Sequence, residues 1–578
     1  MISITGTPPT TPDLISGGVG GVFYLKGWII MNKSIKLTAA LCLLCSSSAM
    51  AASPIPTFDK EAVTTNPYNR TGQQEVVDSS KLQKEHYQEG NTGTEEDPAF
   101  FVNEIKLTGY TLPDNDGKLT TILDKYSKRN VKISELSTLT SELNEYCRTC
   151  GYTVPQAIIP AQEIKDGILE VKIYIASYDQ INIVKNESDV ADKVLAKYID
   201  YLADEDVILD KKLELAVNNI NDLPGVIATA VLKPGSKPGT TSLDLVVDKR
   251  PVWNNYIFTD NGGGYYSGRY RYGFNTEINN PGHQGDKFII NGSLTSHDVK
   301  NYGIRYETPV GSRGTRVGIA YSQSNYELNT NSMYDSLGRS KGISIYGMTP
   351  IYRDREDRVT AIYGYDRRDI RDELNFKVLP GILPNITTDK TADVWHVGVS
   401  GSQYNPNQFT QYSLIYWYGN LDTEGGSYLD GDYHKLTADW LNIWYDNKFN
   451  YRINMHGQMA SRALDGSEQF FLGGMNGVRA YGNGDGYGDD AYLATFEVRC
   501  KTDIEGLEAA AFIDTGYAEN KAFDFGEHLS GWGLGLRYAK PNDWYAQLDW
   551  SKKINAREDL VEPDDHSGRW WFQMYKMF

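Results

Sequence analysis

Phe470-Phe471-Leu472-Gly473-Gly474-Met475-Asn476-Gly477-Val478-Arg479-Ala480-Tyr481-Gly482 is a glycine-loosened stretch that carries a single arginine. Further on comes Ala511-Phe512-Ile513-Asp514-Thr515-Gly516, a short strand-like run with one carboxylate. Successive side chains of a strand point to opposite faces, so Asp514 shares a face with Phe512 and turns away from Ile513. An arginine on a loop and an acid on the next hairpin of one sheet can meet. The stretch therefore reads as a loop around which a wall of strands is organised.

Composition decides what kind of wall this is. A chain of 578 residues is too long for one compact domain, and 40% hydrophobic with 23% charged residues would ordinarily suit a soluble protein. Forty Tyr, 11 Trp and 55 Gly against only 8 His are better explained by aromatic, glycine-broken strands of a membrane barrel with aromatic girdles. A formal charge of −18 argues against nucleic acid as a partner.

Met31 to Ala51 has the form of a secretory signal, with Lys33 and Lys36 at its start, an apolar centre from Leu37 to Cys45, and Ala49-Met50-Ala51 as the small-residue cleavage site. This places the start of translation at Met31 and makes residues 1–30 the product of an upstream start codon, a real extension being the alternative. Neither Cys42 nor Cys45 follows a small residue, which argues against a lipid-modified N-terminus. No other run approaches the roughly 18 to 20 apolar residues a membrane helix needs. If the chain enters a membrane, it does so with strands.

In an exported chain, Cys147-Arg148-Thr149-Cys150 reads first as a local disulfide at a helix end, then as a reduced structural pair, and only weakly as a redox site. Residues 52–97 are polar and read as a flexible segment. Within them Gln73 to Gln88 lacks Pro and Gly, and is compatible with a short polar helix or with plain linker.

Two units of one plan follow, at 98–177 and 178–250. In the first, Val102 to Leu107 alternates as a strand. Leu119, Ile122, Leu123 and Tyr126 share one helical face, and Leu136, Leu139, Leu143 and Tyr146 share another, with Ser134 as N-cap and Gly151 as stop. Strands Ala157 to Ile164 and Ile168 to Ile175 flank the hairpin signal Asp166-Gly167. The second unit repeats strand, helix, helix, strand, strand, with Val190, Val194, Leu195, Tyr198 and Leu202 on its first helix.

From Pro251 to the end, alternating segments such as Tyr302 to Glu307, Thr315 to Tyr321 and Gln411 to Tyr418 are separated by turn clusters such as Asn279-Asn280-Pro281-Gly282. A soluble sandwich or propeller would share this pattern. The chain end favours a barrel: Trp570, Phe572, Met574 and the terminal Phe578 lie on one face, the pattern by which outer-membrane barrels close and are recognised, although Lys576 interrupts it. A closed barrel also leaves no backbone group unpaired in lipid.

These features together resemble a known family. The two units resemble polypeptide-transport-associated (POTRA) domains. Gly477-Val478-Arg479-Ala480-Tyr481 followed by Phe512-Ile513-Asp514-Thr515-Gly516 resembles the loop and strand motifs of the outer-membrane transporters of two-partner secretion, the haemolysin and filamentous-adhesin exporters. The usual Gly after the arginine is Ala480 here. The resemblance implies a membrane β-barrel of about sixteen antiparallel strands over 251–578, preceded by two periplasmic POTRA domains. It implies a Gly477, Val478, Arg479, Tyr481 loop folded into the lumen against Phe512, Asp514 and Gly516, and a plug helix ahead of the first unit. Its implied partners are a secreted exoprotein bound through the POTRA domains, outer-membrane lipid, and the barrel assembly machinery.

Enzymatic readings lack their minimal parts: there is no His-Glu-x-x-His, Gly-x-Ser-x-Gly, Gly-Lys-Ser or Gly-Lys-Thr. Gly482 to Asp490 could pass for a nucleotide or calcium loop but reads as a flexible loop. Asp354, Glu356 and Asp357, interleaved with Arg353, Arg355 and Arg358, read as a solvated loop. No cofactor or metal is expected. The alternatives to an exporter are a porin or solute channel, which needs nothing ahead of its barrel, and an outer-membrane protein assembly factor.

Overall fold

A computed structural model describes residues 97–237, 239–297, 299–328, 334–354, 356–376, 385–554 and 568–578. The expected export signal at Met31 to Ala51, and the polar stretch after it with Gln73 to Gln88, lie outside the described residues.

The first unit contains β1 (Ala99–Val102), β2 (Glu104–Gly109), α1 (Lys118–Tyr126), β3 (Arg129–Lys132), α2 (Ile133–Thr149), β4 (Pro155–Ile158) and β5 (Ile168–Ile175). The helices bury Leu119, Tyr126, Leu139 and Leu143 against Leu169, Val171 and Ile173 of the sheet. Val102 to Leu107 is not one strand. The chain breaks at Asn103, where the amides of Asn103 and Glu104 both donate to the Gly167 carbonyl, at 2.7 and 3.3 Å. As a result β1 pairs with β3 while β2 runs parallel to β5.

Two further local expectations shift. Helix α2 starts ahead of Ser134, because Glu135 reaches back to the Lys132 amide at 2.8 Å and satisfies one of the donors a helix start leaves unpaired. The Asp166-Gly167 turn forms with both residues at positive φ, 56° and 73°. The strand before it, however, ends at Ile158, since Pro160 has no N–H to offer a ladder. Gln162 replaces the lost pairing, its side-chain amide bonding both the N–H and the carbonyl of Glu170 at 2.8 Å.

The C-x-x-C pair is not a disulfide in this structure. Cys147 is packed into the core, Cys150 stands half-buried at the end of α2, and both are free thiols. Burial pushes the Cys147 thiol up to about 11, so it is protonated near neutral pH.

The second unit repeats the topology with β6 (Ser177–Asn186), α3 (Asp192–Ile199), α4 (Asp210–Asn221), β7 (Val226–Pro234) and β8 (Thr240–Lys249). Its sheet order β6-β8-β7 matches β2-β5-β4 of the first, with the outer strand parallel and the other antiparallel to the centre. Leu195, Tyr198, Leu202, Ala216 and Ile220 fill its core.

The rest is a closed sixteen-stranded antiparallel barrel. Its strands are β9 (Trp253–Asp260), β10 (Arg271–Asn279), β11 (Lys287–Thr295), β12 (Lys300–Val310), β13 (Thr315–Leu328), β14 (Tyr334–Arg353), β15 (Asp357–Phe376) and β16 (Ile386–Asn405) in the first half. The second half has β17 (Gln408–Thr423), β18 (Gly431–Tyr445) and β19 (Phe449–Ala460), then, after a long loop, β22 (Asp490–Lys501), β23 (Leu507–Asn520), β24 (Phe525–Lys540), β25 (Trp544–Lys553) and β26 (Arg569–Met577). β26 closes on β9, and the terminal Phe578 exchanges backbone hydrogen bonds with Asn255 at 3.1 and 3.3 Å. The strand alternation separates two faces: Ile513, Trp570 and Ile343 are exposed on the outside, while Phe512, Asp514 and Trp571 are buried inside.

The second unit docks on the barrel turns nearest to it. The Ala191 amide donates to the His283 carbonyl at 3.0 Å, His283 Nδ1 contacts the Asp189 carbonyl at 2.8 Å, and Asp222 pairs with Arg353 and, at 3.6 Å, with Arg358. Arg353 and Arg358 of the expected solvated loop thus form part of a contact between units.

Candidate functional site

Residues 461–489 join β19 to β22 by way of the barrel interior. A two-residue ladder of β20 (Phe470–Phe471) with β21 (Tyr487–Gly488) closes the loop at its base. Inside it the Val478 amide donates to the Leu472 carbonyl at 2.7 Å and the Tyr481 amide to the Val478 carbonyl at 3.0 Å. Gly477 is required by this tight turn, since a Cβ there would overlap the Leu472 carbonyl oxygen. Val478 and Tyr481 are fully buried with Leu472, Leu493 and Leu529. The loop thus carries an apolar knob with one guanidinium in its middle.

That guanidinium is completely engaged. Arg479 grips Asp514 in bidentate fashion, Nε to Oδ2 and Nη2 to Oδ1 at 2.9 Å each, and its Nη1 reaches Glu497 at 3.0 Å and Asp549 at 3.1 Å. Its backbone amide also donates to Asp514, at 3.1 Å, and its carbonyl accepts from Ser551 and from Trp571 Nε1, both at 2.6 Å. Phe512 lies beneath the guanidinium, 3.2 Å from Cζ to the ring centre, a cation–π contact out of water. Arg537 pairs with Glu497 at 3.2 Å and with Asp549, and Arg499 with Glu497 at 2.6 Å. The set links the carboxylates of Asp514, Glu497 and Asp549 to the guanidinium groups of Arg479, Arg499 and Arg537. Arg499 reaches on to Glu508 at 4.0 Å, so every buried charge faces an opposite one, which offsets the desolvation penalty of burying it.

Ala480 and Gly516 complete the expected motif. Ala480 lies outside the left-handed region, so no glycine is needed for its backbone. Its methyl group faces Gly531, where any side chain would collide with it. Gly516 passes close to Leu472 of the loop, where a Cβ would stand 2.7 Å from Leu472 Cδ2.

A second ionic cluster, not anticipated from the sequence, holds the root of the loop. Glu468 pairs with Arg368 on β15 and with Lys435 on β18 at 2.7 Å. Asp465 pairs with Lys390 on β16 at 2.8 Å, and Lys390 also meets Asp372 at 3.1 Å. Gln458 on β19 donates to the carbonyls of Glu468 and Asp489 at 3.0 and 3.1 Å. Gly482 to Asp490 is not a free loop either: Asp485 accepts from the Gly482 amide at 2.8 Å, and Asp489 accepts from the Leu464 and Lys521 amides at 2.9 and 2.7 Å. Asp490 likewise accepts from the Ala460 amide at 2.7 Å, so each acid of this stretch holds a backbone donor.

Among the described residues, two Ser, Asp and His groupings of the lumen are not arranged for nucleophilic catalysis. Ser344 and His396 both bond Asp366, and Ser413 and His456 both bond Asp439, so in each case the acid separates hydroxyl from imidazole. Among the described residues, no group of three or more His, Cys, Asp or Glu is placed to hold a metal ion, and no helix is long and apolar enough to cross a membrane.

Comparison with known proteins agrees with this geometry. Residues 239–538 match the family described as haemolysin secretion/activation protein ShlB/FhaC/HecB, and residues 100–174 match the ShlB-type POTRA domain. The heme/hemopexin transporter protein HuxB of Haemophilus influenzae is 25% identical over 491 residues, which cover 80% of this chain and 84% of that protein. The outer membrane transporter CdiB of Dickeya dadantii is 22% identical over 513 residues, 82% and 88% of the two chains. The solved structure of CdiB from Escherichia coli shares the fold, with a TM-score of 0.69 at 17% identity over 92% of this chain and 98% of that one.

Proposed function

The chain belongs to the ShlB/FhaC/HecB haemolysin secretion/activation family, and from that premise we infer that it is the outer-membrane transporter of a two-partner secretion pair, carrying a haemolysin- or adhesin-type exoprotein out of the periplasm. Its barrel sits in the outer membrane and its POTRA units face the periplasm. The family is one of transporters, not enzymes. The observation that carries the reading is the ion-pinned Arg479 loop inside a barrel that has two sheet-bearing units attached to its strand turns. A solute channel has no use for the attached units. An exporter of unfolded chains does, because an extended client can add as a strand to an exposed sheet edge.

We propose that the units span 98–177 and 178–250, that the barrel begins at 251, and that Arg479, Asp514 and their neighbours set the loop that the client must pass. The client binds the POTRA units and crosses the lumen extended, without ATP, and its folding outside gives direction. Phe578 serves as the signal read by the barrel assembly machinery, and lipid surrounds the outer face. Residues 73–88 act as a plug, so their removal should raise single-channel conductance in planar bilayers, and an unaltered conductance would assign them to linker. The main test deletes Phe100 to Val247. Export of the co-expressed exoprotein should stop while a heat-modifiable barrel still inserts, and undiminished export would overturn the mechanism.

A further inference from the structure

Two neighbouring cations on the outer face of the barrel lack a counter-charge. The second unit pairs with β14 at its Arg353 end, so the Tyr334 end of that strand points away from the periplasm. Toward that end Arg339 and Lys341 have no ion-pair or side-chain hydrogen-bond partner among the described residues, in a chain of formal charge −18. Both lie on the outer face: Ile343 and Ile345, in the same alternation, are exposed outside, while Ser340 and Ser344 are buried inside. On β13, Asn325 stands directly opposite Arg339, and Gln323 opposite Lys341. Lys300 on β12, in alternation with the exposed Tyr302 and Ile304, stands opposite Asn325 and adds a third cation. Direct cross-strand partners lie about 5 Å apart, and alternate residues of one strand about 6.6 Å. The five side chains therefore share one small patch.

The amides of the patch are oriented by their neighbours. The Tyr321 hydroxyl donates to Gln323 Oε1 at 2.9 Å, and Gln323 Nε2 donates to Asn325 Oδ1 at 3.0 Å. Each amide oxygen already accepts a bond, so the amides turn N–H donors to the outside, beside the cations. The nearby acids are engaged elsewhere or stand further out. Asp369, opposite Lys341 on β15, lies 3.9 Å from Arg367 and accepts from Thr391 at 3.5 Å, and Glu373 accepts from Arg371 at 2.8 Å. Glu327 is the next outward residue of β13, opposite Leu337, one step further from the periplasm. On the opposite, membrane side of the patch the same strands expose Tyr302, Ile304, Ile319, Ile343 and Ile345.

We propose that Lys300, Arg339 and Lys341, with the amides of Gln323 and Asn325, bind the phosphate of a glycolipid in the outer leaflet of the membrane, its acyl chains lying along the exposed isoleucines. A phosphate has only acceptor oxygens and carries negative charge, which matches a patch of cations and N–H donors. The apolar surface directly beside the patch decides between a lipid and a soluble anion, because a lipid alone fills both parts at once. Basic side chains at a membrane surface attract anionic headgroups, and the attraction falls with salt. The site goes beyond the transporter reading and does not depend on what the barrel carries.

The probe is lipid A, a phosphorylated and acylated glucosamine disaccharide, added to the purified full chain in neutral detergent and counted by native mass spectrometry. The wild-type chain should retain it, and lipid A stripped of its phosphates should not compete. Arg339→Gln combined with Lys341→Gln should weaken retention about thirtyfold, about fivefold for each cation removed, while the barrel keeps its heat-modifiable migration. Lys552→Gln, at an exposed lysine on the outer face of β25, should leave retention unchanged. Equal retention by the double variant, an equal loss in Lys552→Gln, or undiminished binding of the dephosphorylated lipid would overturn the site. Displacement of lipid A by inorganic phosphate, but not by chloride of the same ionic strength, would show a free-anion site and overturn the lipid assignment. The comparison of the two lipids on the wild-type chain decides the matter even if the double variant does not fold. No exoprotein enters these measurements, so a failure here and a failure of the transporter reading are told apart.

Discussion

The tip and the root of the lumen loop are held by ionic clusters of opposite design. At the tip the loop brings one cation, Arg479, to a wall on which Glu497, Asp514 and Asp549, with Glu508 beyond Arg499, outnumber Arg499 and Arg537. At the root it brings two anions, Asp465 and Glu468, to a wall on which Arg368, Lys390 and Lys435 outnumber Asp372 by two. In each cluster the wall's excess charge is opposed only with the loop seated. A loop shifted along the lumen would leave both walls charged in a confined space, so the ion pairs fix its register as well as its attachment. Buried ionic groups often add little net stability over apolar packing, and selecting one arrangement is the role that best explains two such clusters here.

The largest effect is expected at the tip. Arg479→Ala leaves three carboxylates facing two guanidinium groups, and Asp514→Ala strips the bidentate partner, where loss of one member of a buried pair costs about 3 to 5 kcal/mol. Either change should nearly abolish secretion while a heat-modifiable barrel still inserts. The double variant should be little worse than each single one, because both remove the same interaction. Full secretion by either single variant, or ready labelling of Arg479→Cys from outside intact cells, would show that the tip does not hold the loop inside.

The root should come next. Glu468→Gln leaves Arg368 and Lys435 without their shared carboxylate but keeps the backbone bonds from Lys435 and Gln458 to the Glu468 carbonyl. Secretion should fall clearly but less than for Arg479→Ala, and limited proteolysis of the purified protein should cut the loop faster. Arg368→Gln added to Glu468→Gln should recover part of the loss, since both charges of the strongest contact are then gone. Wild-type secretion and protease resistance in Glu468→Gln would reduce the comparison to a single anchor.

The two clusters also differ in how far the sequence reveals them. Arg479, Phe512 and Asp514 are legible because each sits in a short local pattern, a glycine-rich turn or a strand with one acid. Glu497 and Asp549 belong to the same site, yet each is only one more polar residue in an alternating strand, and nothing local gives the ladder register that brings them together. The root is less legible still. Asp465 and Glu468 resemble residues of any polar loop, and their partners Lys390 and Arg368 lie 75 and 100 residues away. The fold follows the same rule: helices with a strong apolar period and the overall strand alternation could be read directly. The break at Asn103 could not, because a distant carbonyl, that of Gly167, imposes it. Arg353 and Arg358 looked solvated for the same reason, since their partner Asp222 lies in another unit.

That third contact gives the smallest effect and the control for the other two. Asp222 pairs with the same kind of partner as Asp514, but its side chain is 22% exposed and those of Arg353 and Arg358 are 14% and 46% exposed, against 0% for Asp514 and 6% for Arg479. Partly hydrated ion pairs contribute at most about 1 kcal/mol, and salt weakens them. Asp222→Ala should therefore lower secretion modestly, and less again when the medium is rich in salt, whereas the defect of Arg479→Ala should not depend on salt because ions do not reach a buried cluster. The measurement is secreted exoprotein for both variants across a salt series. If Asp222→Ala proved as severe as Arg479→Ala, or if the tip defect tracked ionic strength, burial would not be what ranks these contacts, and the seating of the second POTRA unit would matter more to transport than the anchoring of the loop.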